Sequence, residues 1–192
     1  MSPRIPGIPR VCLCAQARTG SSMLVQMLMA GGLTFDFDVE PFTDFMKLMW
    51  RNDQIYGYSN GVISGQFNNS FKLTMPRYLP TVPADYKLIR PVRNIAKIKA
   101  SWTAMAAIYG TLENANAKQM EIDKHAHADL QLAHWNTVLT GVPNVLVIDY
   151  DATCANPAAT VAAIAAHINT PTFTFDQAAA AAVVSAAKYI NR

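Results

Sequence analysis

Arg18-Thr19-Gly20-Ser21-Ser22 gathers hydrogen-bond donors at five consecutive positions between an apolar run and an amphipathic one. A tight loop between a strand end and a helix start leaves backbone N–H groups pointing outward, and the helix dipole adds positive potential, so it accepts an anion. Gly20 permits close backbone approach, Thr19, Ser21 and Ser22 add hydroxyl donors, and Arg18 adds a fixed, forked cation. The same small polar residues also suit a plain helix cap. A triphosphate-cradling loop would read G-x-x-x-x-G-K-[ST], and here both the leading glycine and the lysine after Gly20 are missing.

A second constellation follows the apolar run at residues 86–92. Arg93 sits where that run ends, and Ser101 lies about two helical turns further, roughly 12 Å along a helix axis, so the two can converge on one phosphate. Other groups carry chemistry less clearly. His125 and His127 stand beside Asp123 and Asp129, but their i, i+2 spacing does not place both on one helix face and no partner motif completes a zinc site. His134 suits packing or an acceptor pocket, and His167 suits the C-terminal end of a helix. Val145-Leu146-Val147-Ile148-Asp149 is an apolar run ending in an acid. It is similar to a magnesium-binding Walker B strand and keeps a phosphotransferase or NTPase reading open.

These groups need a scaffold, and the periodicity supplies one. Residues 11–15 form a short apolar strand, and Leu24, Met27 and Leu28 recur at helical spacing until Gly31-Gly32 stops them. Residues 34–39 alternate strictly, as an extended strand does, and residues 42–51 suit a helix. Residues 52–69 carry little periodic signal and predict a loop. Strands are expected over residues 70–75, 86–92 and 145–148, the last one buried. Ile95, Ile98, Trp102, Met105 and Tyr109 predict a helix over residues 94–109, capped by Asn94. Residues 111–124 are polar and suit a lid or connection, with a helix after them over residues 125–139. Asn156-Pro157 opens another helix, and residues 176–189 form an Ala-rich closing one. Strands alternating with helices predict an α/β fold, three-layer α/β/α around a mainly parallel central sheet, in a single domain over residues 1–192.

Composition narrows the function classes. With 51% hydrophobic and 15% charged residues the chain has the balance of a globular domain, and 192 residues bury a core without disulfides. A net charge of +3 with no Lys/Arg run argues against a nucleic-acid partner. Cys12, Cys14 and Cys154 form no even framework, no signal segment is visible and no run reaches membrane-spanning length, so the expectation is a cytoplasmic protein without a membrane partner.

Taken together, the two constellations resemble the sulfotransferases that use 3′-phosphoadenosine-5′-phosphosulfate (PAPS). Their first loop is similar to R-[ST]-G-[ST]-[ST], matched by residues 18–22, and their 3′-phosphate site to R-[DN]-x-x-x-x-x-x-S, matched by Arg93, Asn94 and Ser101. Lys72-x-Thr74-x-Pro76 resembles the K-x-H-x-P of the cytosolic members, and Asp149-Tyr150-Asp151 with Pro157 resembles their Y-[ED]-[DN] segment and following proline. The likeness spans roughly residues 10–167.

The resemblance implies a P-loop NTPase-like fold, PAPS as donor with 3′,5′-adenosine bisphosphate (PAP) as product, no metal, and a small-molecule or glycan-like acceptor. Arg18 and Lys72 would stabilise the leaving oxygen. Thr74 stands where the cytosolic members carry their histidine, and a hydroxyl cannot take up a proton near neutral pH. Other members place a glutamate about twenty residues past the loop, which makes Glu40 the expected base, with Asp36 and Asp38 as alternatives. Larger members also close a basic C-terminal loop over the 3′-phosphate, for which only Lys188 and Arg192 remain. The Thr74 and C-terminal departures leave a non-catalytic, nucleotide-binding homologue as a further alternative.

Overall fold

The computed structural model describes residues 4–36, 68–74, 76–113 and 116–184. In chain order these hold β1 (Val11–Cys14), α1 (Ser21–Ala30), β2 (Phe71–Leu73), a 3-10 turn (Pro76–Thr81), β3 (Lys87–Val92), α2 (Ile95–Glu113), α3 (Ala117–Leu139), β4 (Val145–Asp149), α4 (Tyr150–Ala155), α5 (Pro157–Ile168) and α6 (Gln177–Ala182). The strands form one parallel sheet in the order β2-β1-β3-β4.

Every side chain of β1 is buried, and alternation sends them to two different cores. Val11 and Leu13 join α1, α5, α6, Phe173 and Phe175 on one face. Cys12 and Cys14, their sulfurs 4.0 Å apart, join Phe71, Leu73, Leu79, Tyr86 and Trp135 of α3 on the other. A strand apolar on both faces is what a helix-covered parallel sheet requires, and the expected three-layer arrangement is the one observed. Gly31 is needed for close approach, because a Cβ there would lie 1.8 Å from the Phe175 ring.

Because the strands are parallel, the segments after β1, β2, β3 and β4 all leave the same edge of the sheet. The chain moves from β1 out to β2 and returns past β1 to β3, so the crevice of a topological switch point opens at that edge. Arg18, Thr74, Arg93 and Tyr150 each follow one of the four strand ends.

Several expectations need correction. Residues 111–124 are not a lid or connection: α2 runs on to Glu113, and α3 begins at Ala117 behind the cap Asn116, whose side chain accepts from the Gln119 N–H at 3.1 Å. The two helices form a hairpin joined by polar pairs, Lys99 to Asp129 at 2.7 Å and Thr103 to Glu121 at 2.8 Å, which explains why apolar periodicity reveals most of α2 but not the first turns of α3. β4 is an edge strand rather than a buried one, with Val147 56% exposed. Of the alternating run at residues 34–39 only Phe35 pairs among the described residues, as a parallel bridge to Ser70. The expected helix at residues 42–51, residues 52–67 of the expected loop and residues 185–189 of the expected closing helix lie outside the described residues; within them the closing helix spans Gln177–Ala182, short of the end expected for it. No helix among those described is long and apolar enough to cross a membrane.

Candidate functional site

The loop after β1 is held from beneath by α3. Gln16 is buried and its Nε2 donates to the Ala128 carbonyl at 2.7 Å, while the Ala17 N–H donates to Gln131 Oε1 at 3.4 Å. The backbone then enters the left-handed region twice, at Arg18 (φ 68°) and at Gly20 (φ 81°). Glycine adopts that region freely, whereas for an arginine it costs about 1–2 kcal/mol and marks a conformation imposed by its surroundings. Gly20 is the N-cap of α1; no side chain caps this helix and its first turn holds no acid. The N-terminal N–H groups of a ten-residue helix are thus left without a side-chain acceptor, as an anion site requires.

One expected donor is already committed. Thr19 is 2% exposed and its hydroxyl donates to the Gln16 carbonyl at 2.7 Å, closing the loop on itself instead of facing outward. Ser21 and Ser22, half-buried in the first turn of α1, are the hydroxyls at the mouth.

The second constellation meets the first, though not in the grouping expected. Ser101 accepts from Arg18 Nε at 2.8 Å, and the Arg18 guanidinium lies 5.9 Å from the centre of the Trp102 ring. Accepting from arginine leaves the Ser101 hydroxyl hydrogen to donate elsewhere. Arg93 instead lies 4.5 Å over the Tyr150 ring and 3.8 Å from Asp151, which also pairs with Lys97 at 3.1 Å. A separation of 3.8 Å is too long for a hydrogen bond, and Arg93 Nε is buried without a hydrogen-bond partner. An orphaned cationic donor at a sheet edge suits a phosphate oxygen.

Tyr150 is the residue that periodicity and spacing do not single out. A Cβ on Gly20 would lie 2.0 Å from Tyr150 Cδ2, so the ring fills the space beside the loop while its other surroundings include Arg93. Burial, and then Cys154, push its phenol up to about 12. Its signals in the sequence are its place one residue after an apolar strand and its membership of the Asp149-Tyr150-Asp151 segment.

Lys72 is buried at 4% exposure on β2, as register partner of Leu13, and burial lowers its ammonium to about 8. Thr74, half-buried, follows that strand and its carbonyl accepts from Gln131 Nε2 at 3.5 Å. Asp36 is buried and spends its carboxylate on structure: Oδ2 accepts from the Asn68 and Asn69 N–H groups at 2.8 Å each, and Oδ1 from Asn69 Nδ2 at 3.1 Å. With three donors on its two oxygens, the carboxylate is committed to holding residues 68 and 69. Glu40, Asp38, Lys188 and Arg192 lie outside the described residues.

The remaining candidates fall to structural tasks. Asp149 caps α4, its Oδ1 accepting from the Ala152 N–H at 2.7 Å, so the acid of the Walker-like strand is occupied. His125 contacts the Lys99 carbonyl at 3.0 Å, His134 is exposed on α3, and His167 in the last turn of α5 contacts the Leu88 carbonyl at 3.2 Å.

No protein-family model matches the sequence, and no curated protein matches it. Among solved structures the chain is similar to a sulfotransferase from Alicyclobacillus acidocaldarius. That match has a TM-score of 0.55 and 15% sequence identity, over 88% of this chain and 85% of the other. It is also similar to the sulfotransferase domain from the curacin biosynthetic pathway, with a TM-score of 0.48 and 14% identity over 98% and 87%. Arg18, Arg93 and Ser101 therefore stand at the strand-end edge of a sheet with the P-loop-like α/β fold of the sulfotransferases.

Proposed function

We propose that this protein is a sulfotransferase that transfers a sulfuryl group from PAPS to a hydroxyl or amine acceptor. The observation that carries the reading is the Arg18–Ser101 hydrogen bond, which joins the two motifs beside the uncapped N-terminus of α1. The donor set suits such a nucleotide: the α1 N–H groups and Arg18 for the 5′ phosphosulfate and Arg93 for the 3′-phosphate, with the Ser101 hydroxyl fixing Arg18.

When bound, the donor supplies an activated sulfur–oxygen bond; the acceptor oxygen or nitrogen bonds to sulfur as that bond breaks, and the electron pair departs on the phosphate oxygen. The chain's own residues manage the charge. Arg18 and the N–H groups are fixed before the reaction, so they stabilise the developing negative charge without reorganising. Burial lowers the Lys72 ammonium to about 8, and a phosphate oxygen beside it would restore its full charge, which suits it to stabilise the leaving oxygen. The acceptor proton goes to Glu40 in this assignment.

Thermal unfolding with PAP in the absence of magnesium tests the binding half. A ligand at 100 times its dissociation constant adds about 2.7 kcal/mol to stability. Stabilisation by PAP that Arg93→Ala abolishes is the expected result, and a response confined to magnesium-ATP would overturn the assignment in favour of a phosphotransferase. Radiolabelled sulfuryl transfer to an acceptor panel, repeated with Glu40→Gln, tests the chemical half. Binding without turnover on any acceptor would mark a non-catalytic nucleotide binder.

A further inference from the structure

The loop's neighbour α3 carries a cation that neither the loop nor the nucleotide sites use. Lys124, Ala128 and Gln131 recur at i, i+4 and i+7, so they share one helix face. Ala128 and Gln131 on that face bind the loop directly, through Gln16 and Ala17, and Gln131 also reaches the Thr74 carbonyl. The same face therefore runs along the ends of β1 and β2, on the opposite side of the loop from Arg93, Tyr150 and Asp151, which follow β3 and β4.

Two turns before Gln131, the half-buried Lys124 places its ammonium 5.2 Å from the centre of the Trp102 ring, the ring that Arg18 also faces. The carboxylates near Lys124 on its own helix are engaged elsewhere. Glu121 accepts from Lys118 at 3.1 Å and from Thr103 at 2.8 Å, Asp123 from Gln119 at 2.9 Å, and Asp129 from Lys99 at 2.7 Å. Among the described residues no carboxylate pairs with Lys124. Exposed His127 lies close enough for the Lys124 charge to help lower its pKa, after partial burial, so a second nitrogen group borders the same spot. Arg18 and Lys124 thus flank one indole beside the anion loop, and the neighbouring acids of α3 are paired with other groups.

We infer that Lys124, beside Trp102 and Arg18, is the specificity-determining contact for an acceptor that carries its own negative charge, such as a carboxylate, in addition to the hydroxyl that is sulfated. This rests on the reading of the loop as a sulfuryl-donor site and adds the substrate class. A neutral acceptor would leave the ammonium with only the indole face, whereas an acidic one gains a charge-assisted contact of the kind that changes affinity about tenfold or more.

The probes are 4-hydroxyphenylacetate and its neutral counterpart 4-hydroxyphenylethanol, their binding to the full chain measured by ligand-observed NMR at low and high salt, with PAP affinity measured in parallel by calorimetry. The acid is expected to bind about tenfold more tightly than the alcohol, with the difference shrinking as salt rises. Lys124→Ala should bring the two probes to equal affinity, Lys124→Arg should retain the preference, and PAP affinity should be the same in all three proteins. Equal binding of the probes, binding of neither, or a preference that survives Lys124→Ala overturns the inference. So does a loss of PAP affinity in Lys124→Ala, which would assign the lysine to the nucleotide. Probe binding is read without turnover, so failure of PAP to bind would strike the donor assignment and leave the acid preference to be judged separately.

Discussion

Lys72 illustrates how much a single side chain can report. Its ordinary value of 10.5 falls to about 8 through burial, so below pH 8 the folded state carries a desolvated ammonium and bears that penalty in full. Between about pH 8 and 10.5 the folded protein sheds the proton while the unfolded chain keeps it, so this group makes the fold more stable as pH rises through that window. An anion bound nearby reverses the shift. PAP binding at pH 8.5 is therefore expected to take up a fraction of a proton, seen as a dependence of the calorimetric heat on buffer ionisation enthalpy. Lys72→Met should remove that dependence, and a dependence unchanged by the substitution would place the lysine away from the ligand. Gly20 makes a separate test. Its φ of 81° and the 2.0 Å approach of a new Cβ to Tyr150 predict that Gly20→Ala destabilises by more than about 1 kcal/mol in urea unfolding. In a Tyr150→Ala background the clash is gone but the backbone strain is not, so Gly20→Ala should cost less there than in the native protein, though still more than nothing.

At the level of elements, what was legible in the sequence follows from how each element is stabilised. β1, α1 and β3 bury apolar side chains at regular spacing, and residues 11–15, 22–30 and 86–92 announce them. The motifs at residues 18–22 and 93–101 are local in sequence, and both ends of the Arg18–Ser101 bond are readable from them. The bond itself depends on the parallel pairing of β1 with β3, which no local pattern encodes. The Thr19 hydroxyl shows the reverse limit, since residue type alone does not tell whether a donor faces a ligand or its own loop. The end of α2 and the first turns of α3 are illegible for another reason: α3 buries only Ala128 and Trp135 among its described side chains, and polar pairs join it to α2. That economy concentrates its attachment to the sheet. Trp135, 1% exposed against Cys12, Cys14 and Phe71, is its main apolar anchor, and Trp135→Ala should lose about 3–5 kcal/mol of stability in denaturant unfolding. Because α3 also supports residues 16 and 17, PAP affinity should weaken with it.

For the whole molecule, the parallel sheet brings one segment from each strand to a single edge, and the two cores on its faces hold that edge rigid. β1 is the common member of both cores and is flanked by β2 and β3, so its amides should exchange more slowly than those of the edge strand β4. Cys12 and Cys14 give the same strand a second property. Both are fully buried, burial lifts Cys12 well above an ordinary thiol, and Cys154 is half-buried near the surface. A thiol reagent should consume one equivalent quickly at Cys154 and the remaining two only as β1 opens. Three rapid equivalents would show that the strand is accessible. The paired sulfurs are thus a built-in clock for the opening of the strand that carries the anion loop. PAP should slow that clock, giving a label-based measure of donor binding that needs neither acceptor nor turnover.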